Sequence, residues 1–191
     1  MANINPKIYT YPSLDSTNNE AKRLASTLTE DQLKTGLVIV ADTQTAGRGQ
    51  GDHIWHSDSE DGLYYSLLIK PSFTLEDIPA VVTSAAQSVI HVIQTLSGVH
   101  PTLKPPNDVM IDGKKVAGIL LETAVEGHSI YPRYVVVGVG INLNHDHFSD
   151  LLSHVATSLY QQTGKPYDKA LFAQALTDAF LMWLKKPRFL L

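Results

Sequence analysis

With 191 residues, 43% of them hydrophobic and 18% charged, the chain can bury one substantial core and has little length to spare for a second. A formal net charge of -4, with basic residues scattered apart from the pairs Lys22-Arg23, Lys114-Lys115 and Lys185-Lys186, argues against a nucleic-acid binder, which needs a clustered cationic face. There is no cysteine, which removes disulfides, thiolate nucleophiles and Cys-ligated zinc. With no signal-peptide pattern and no apolar stretch of membrane length, a cytoplasmic location without membrane partners is expected.

In chain order, Lys7-Ile8-Tyr9-Thr10-Tyr11 alternates and carries β-formers, predicting a first strand. Asp15-Ser16-Thr17 offers helix N-caps, and Glu20 lies three residues after Thr17, as a capping box requires. Ala21, Leu24, Ala25 and Leu28 then repeat at helical spacing to about Leu28. Gly36 to Ala41 reads as a buried strand, and Gly62 to Ile69 as another, ended by Pro71. From Glu76 or Pro79 to Leu96 the pattern is one long helix, stopped by Ser97-Gly98.

Pro105-Pro106 forbids helix and central strand, so 104–108 is a fixed extended or turning segment. Val109-Met110-Ile111, the turn signal Asp112-Gly113 and the return from Lys115 to Thr123 form a hairpin. Arg133 to Val137 is a strand running into Gly138-Val139-Gly140-Ile141-Asn142, and 149–184 reads as two helices separated at 163–166. Neighbouring strands joined by hairpins, with helices between, predict one α+β domain on a mixed, largely antiparallel sheet with flanking helices.

Three connections carry unusual composition. Thr43 to Trp55 contains Gly47-Arg48-Gly49, where glycines allow close backbone approach or positive φ and arginine supplies a permanent charge. The other two are Lys104 to Asp108 with Lys115-Val116-Ala117-Gly118, and Gly138 to Asn142. Taken singly, Gly47-Arg48-Gly49 is an ordinary loop and Ser16-Thr17-Asn18 an ordinary cap.

Taken together and in order, these segments resemble the biotin–protein ligases, whose pattern is S-T-N, a Gly-Arg-Gly loop ending in tryptophan, K-W-P-N-D, K-x-x-G-I-L and G-x-G-I-N. The resemblance extends from about Tyr9 to Leu184. It implies a fold like that of class II aminoacyl-tRNA synthetases and biotin synthetases. It also implies an ATP-dependent ligase that makes biotinyl-5′-AMP and passes biotin to a lysine of a biotin carboxyl carrier protein. Under that resemblance Ser16, Thr17 and Gln44 would hydrogen-bond biotin's ureido group, with Asn18 also in the biotin site. Gly47 to Gly49 would wrap the carboxylate and phosphate, and Gly118 and Gly138 would let backbone approach biotin. Lys104 would bridge the biotin carboxylate and the α-phosphate. Arg48, Gly49, Gln50, Trp55, Asn107, Lys115, Gly140 and Asn142 would surround the nucleotide. Arg48, Lys104, Lys115 and Asp108 would carry the chemistry, with Asp108 orienting or deprotonating the acceptor lysine. Mg²⁺ would arrive with ATP, not on protein side chains alone.

Departures from the family pattern have consequences. Relatives carry more arginines after Gly-Arg-Gly, where this chain has Gln50, Gly51, Asp52 and His53. Weaker retention of the adenylate, or a different clamp such as a protonated His53, is therefore expected. Pro105 replaces the tryptophan of K-W-P-N-D. The sequence begins at the first strand of the catalytic domain and shows no N-terminal DNA-binding segment and no C-terminal β-barrel, so a single catalytic domain over 1–191 is expected, as monomer or homodimer. Two alternatives stand beside this reading: a lipoate or octanoyl ligase-transferase, though the triple glycine of that loop is missing, and a non-catalytic biotin or nucleotide sensor.

Overall fold

The computed structural model describes residues 6–184; residues 1–5 and 185–191, including the Lys185-Lys186 pair, lie outside the described residues. The strands are β1 (Lys7–Leu14), β2 (Leu37–Gln44), β3 (Gly62–Ile69), β4 (Thr102–Lys104), β5 (Asp108–Ile111), β6 (Lys114–Ala124) and β7 (Tyr134–Asn142). They form one seven-stranded sheet in the order β1-β2-β3-β7-β6-β5-β4. Only β1 and β2 pair in parallel; every other pair is antiparallel. The helices are α1 (Thr17–Ala25), α2 (Glu30–Thr35), α3 (Ile78–Ser97), α4 (Asp150–Ser153), α5 (Leu159–Thr163) and α6 (Lys169–Leu184). No described helix is long and apolar enough to cross a membrane.

The period-2 alternation of a strand divides the sheet's side chains between two faces. Val38 and Val40 of β2, Leu63, Tyr65 and Leu67 of β3, Ile119 of β6 and Val135, Val137 and Val139 of β7 join the larger core with α3 and α6. The intervening Leu37, Ile39, Leu68 and Val136 join a smaller core with Ala21 and Ala25 of α1 and Leu33 of α2. Covered on both faces, β3 is buried along its whole length. Tyr65 ties the larger core together: its hydroxyl lies 3.0 Å from Thr177 Oγ1 of α6, and its ring tilts against Phe180.

Local signals explain several boundaries. α3 starts with Pro79 in its first turn and ends at Gly98, which has φ 74 and donates its N–H to Gln94 O. Asp112 and Gly113, both at positive φ (48 and 77), make the β5–β6 turn. The Pro105-Pro106 bond is cis.

The structure corrects three sequence-based expectations. The Thr17–Glu20 capping box does not form: Ser16 is the N-cap, without a side-chain cap bond, and Glu20 instead receives Arg23 Nε at 2.8 Å. α2, which the pattern reading does not contain, is held by a capping box between Thr29 and Gln32. The two helices expected over 149–184 are three, because the chain between α4 and α5 is drawn out as a bridge. Lys115 N–H donates to Val155 O at 2.8 Å, and Thr157 N–H donates to Lys115 O at 3.0 Å.

Candidate active site

On the sheet face that carries the smaller core, α1 covers only part of the surface. Beyond it, residues of β7 and β6 that would point into this layer are Gly138, Gly140 and Gly118, and their missing side chains leave a cleft. The cleft is narrow in this conformation, with about 50 Å³ of enclosed space between the loop and the glycine floor. The antiparallel register sets Gly118 directly opposite Gly140, and Gly140 opposite Tyr64.

At the closed end, the first turn of α1 points into the sheet. Asp15 fixes its approach: Arg23 forks onto the carboxylate at 2.7 and 3.2 Å and Asn19 adds a bond at 3.0 Å. The Arg23 bonds, foremost, hold the Asp15 carboxyl well below the usual carboxylate range. Thr17 N–H and Oγ1 both donate to Gln44 Oε1, at 2.8 and 3.2 Å. Ser66 Oγ lies 2.8 Å from Thr17 Oγ1 and 2.6 Å from Asn18 Oδ1. Ser16, Thr17, Asn18, Gln44 and Ser66 are all buried. Buried hydroxyls and amides in mutual contact make a rigid end wall rich in donors and acceptors, suited to a small polar head group. Asn18 also explains Gly138, where a Cβ would fall 2.3 Å from Asn18 Oδ1.

The Gly47–Trp55 loop covers the cleft as a small hairpin. Arg48 bridges Ile54, Gly49 N–H donates to His53 O at 2.7 Å, and Trp55 N–H donates to Gly47 O at 3.1 Å. Its positive φ falls at Gly51 (62), not at Gly47 or Gly49. Gly47 is required by crowding: a Cβ there would lie 2.2 Å from Ser57 Oγ and 2.3 Å from Trp55 O. The Gly49 amide is spent within the loop and is not free to join an anion-binding nest of N–H groups in this conformation. Arg48 reaches Glu122 Oε1 at 3.5 Å, on the α1 side of the cleft. The Trp55 indole lies against Gly140 and Gly118, with its buried Nε1 lacking a hydrogen-bond partner among the described residues.

At the mouth, Lys115 Nζ pairs with Asp108 Oδ1 at 2.5 Å and sits 5.2 Å from the Trp55 ring centroid. The β6 end that carries Lys115 is fixed by Asn142, whose Nδ2 donates to Thr157 O at 3.0 Å and Lys115 O at 3.4 Å. Asn107 clasps the same strand: its Nδ2 donates to Ile119 O at 2.8 Å, and its carbonyl accepts Ile119 N–H at 3.0 Å. Both asparagines, read from sequence as nucleotide contacts, thus spend their amides on the strand that carries Lys115.

The sequence-predicted residues therefore fall into two places. Ser16, Thr17, Asn18, Gln44, Arg48, Gly49, Gln50, Trp55, Asn107, Lys115, Gly118, Gly138 and Gly140 line the cleft. Lys104 is exposed and lines an adjoining, wider groove, together with Asp108, Asn142 and the second wall of Lys115. That groove also contains His145, stacked on Phe148 with ring centroids 5.1 Å apart. Burial lowers the His145 pKa. Tyr64, Tyr65, Leu120 and Val139 line the cleft without having been singled out from sequence. For Tyr64 and Leu120 the alternation with core residues was the available signal, though nothing local told which face held the cleft; Tyr65 and Val139 are themselves members of the larger core. Among the described residues, no group of three or more His, Asp or Glu is arranged to hold a metal ion.

Comparison with known proteins points to one family. Residues 11–142 match the sequence model of the biotin/lipoate A/B protein ligase family. The chain is 38% identical over 154 residues to the bifunctional ligase/repressor BirA of Bacillus spizizenii, covering 80% of this chain and 47% of that protein. It is 30% identical over 174 residues to the biotin–[acetyl-CoA-carboxylase] ligase of Paracoccus denitrificans, covering 88% and 69%. The chain thus spans about half the length of the Bacillus relative. Among solved structures, biotin protein ligase from Aquifex aeolicus in complex with biotin and ATP superimposes with a TM-score of 0.76 at 29% identity, covering 94% of this chain and 72% of that one. The fold is the class II synthetase-like fold of those ligases. By the extent of the family match and the identity to its relatives, the chain belongs to the biotin/lipoate A/B protein ligase family.

Proposed function

We propose that the chain is an ATP-dependent biotin–protein ligase, forming biotinyl-5′-AMP and transferring biotin to a lysine of a biotin carboxyl carrier domain. The observation that carries the reading is the glycine floor of Gly118, Gly138 and Gly140, running from a buried polar end wall to the Lys115–Asp108 pair at the mouth. A ligand with a polar bicyclic head, an apolar arm and a terminal carboxylate matches that sequence of surfaces.

The first step needs no protein nucleophile, because a carboxylic acid is already ionised near neutral pH. Its oxygen attacks the α-phosphorus and pyrophosphate leaves, so the obstacle is bringing anions together, which fixed positive charge overcomes. Lys115, anchored through its backbone and by Asn142 and Asn107, is better preorganised for this than exposed Lys104. In the second step the acceptor amine attacks the acyl carbon, AMP leaves and the amine loses a proton. Asp108, beside Lys115 at the mouth of the cleft, would orient that amine. ATP and Mg²⁺ complete the reading. Mg²⁺ would enter with the triphosphate of the nucleotide.

ATP–pyrophosphate exchange, run with biotin, with lipoate and with neither acid, tests the proposal. Exchange requiring biotin and collapsing in Lys115→Ala supports it. Exchange with lipoate alone would move the substrate to the other branch of the family, and biotin binding without exchange would make the chain a sensor.

A further inference from the structure

We propose that Glu122 is a positioning residue that fastens the Gly47–Trp55 loop to the sheet and links it to the closed end of the cleft. The proposal rests on the ligase reading only in treating that loop as the cover of the acid-binding site.

Glu122 lies on β6 at the same face as Gly118 and Leu120, by strand alternation. Its side chain is only 19% exposed, where an unmatched carboxylate would be costly. Lys22 Nζ meets Oε1 at 2.8 Å and Asn18 Nδ2 meets Oε2 at 2.8 Å. Burial alone would raise its pKa, but these bonds and the charges of Lys22 and Arg48 outweigh it and hold the carboxyl below its ordinary value.

Lys22 already neutralises this carboxylate, so Arg48 is a second cation on a single anion. What Arg48 supplies is a tie to the loop. Among the described residues, the hydrogen bonds within 47–55 close the hairpin on itself, and Arg48–Glu122 is the one ion pair joining that segment to the sheet. Trp55, resting on Gly118 and Gly140, is the other point of support.

The same carboxylate belongs to a chain of contacts reaching the end wall. Ser66 Oγ donates to Asn18 Oδ1 at 2.6 Å, and Asn18 Nδ2 bonds Glu122, whose other oxygen faces Arg48. A ligand that fixes Asn18 at the closed end therefore fixes the carboxylate that receives the loop.

Hydrogen exchange followed by mass spectrometry on the ligand-free protein tests the tie without relying on activity. Glu122→Gln and Arg48→Gln are each expected to speed exchange in peptides spanning 47–55 about threefold, the scale of a partly exposed ion pair, with β3 peptides unchanged. The double variant should exchange no faster than either single one. Lys22→Met, which leaves the Arg48–Glu122 pair in place, should not reproduce the effect. Unchanged loop exchange in Glu122→Gln, multiplying effects in the double variant, or equal acceleration in Lys22→Met would each overturn the proposal. If Glu122→Gln fails to fold, Glu122→Asp against Arg48→Gln gives the same cycle. Biotin titration on the same proteins keeps the two readings apart: absence of binding by the unaltered chain would sink the ligase reading while the exchange comparison still decides this one.

Discussion

Trp55 lies so close over Gly140 that a Cβ built on that glycine would fall 2.4 Å from the indole Cε2 and 2.6 Å from its Nε1. The opposite residue in the register, Gly118, stands in the same relation, 2.9 Å from Cζ3. The glycines thus seat one flat ring, and the ring sits at the root of the loop.

Replacing Gly140 by alanine should unseat that ring while leaving the sheet paired. The expected cost is about 1–3 kcal/mol of stability, as for other overpacked sites, together with a red shift in tryptophan emission. The shift should vanish in a Trp55→Phe background, since Trp183 lies in the other core. Unchanged emission would mean that the indole does not rest there in solution.

Lys115 and Lys104 should separate in exchange assays. Lys115→Ala is expected to lower biotin-dependent pyrophosphate exchange by about 100-fold or more, the scale of losing one preorganised donor. Lys104→Ala, exposed and outside the cleft, should lose much less. The reverse order would return the bridging role to Lys104.

The loop's chemistry predicts a leak. Asp52 and His53 are exposed, and between Gly49 and Trp55 there is no arginine or lysine to oppose a nucleotide's charge. Gln50→Arg should therefore slow release of the preformed adenylate several-fold, measured by trapping with excess unlabelled biotin. Equal release rates would show that the loop retains the intermediate without cations.

His145 gives a pH signature. Its Nδ1 is buried without a hydrogen-bond partner among the described residues, and burial depresses its pKa below the ordinary 6.5. As pH falls below that value, the unfolded chain takes up a proton before the folded one, so stability declines until the lower folded pKa is passed. Urea melts from pH 7.5 to 5 should show this decline, and His145→Gln should lessen it. A variant with the same slope as the unaltered chain would remove the assignment.

Much of this was legible in the sequence because its signals were local. The apolar run of β3, the Asp112-Gly113 turn and the Gly98 helix stop depend only on neighbours along the chain, and each element formed where the pattern placed it. The glycine motifs and Ser16-Thr17-Asn18 indicated the cleft only when read together. Misreadings came where a distant partner decided. The Thr17 pattern is the same for a helix cap and a pocket wall, and Gln44 and Ser66 chose between them. The break between α4 and α5 follows from the backbone of Lys115, far earlier in the chain. That Lys115 lines the cleft and Lys104 the adjoining groove depends on strand register, which no local motif displays.

The position of β7 has one more consequence. It lies between β3 and β6, carries Gly138 and Gly140, and follows a mostly exposed connection, 125–133, at the end of the sheet away from Lys115. A chain opened at Gly127 would divide the floor itself: the first piece keeps the end wall, loop and Lys115, while the second holds the strand they stand on and the 155–157 segment that braces Lys115. Neither fragment owns a binding surface, so activity from such a split protein would report reunion of its halves.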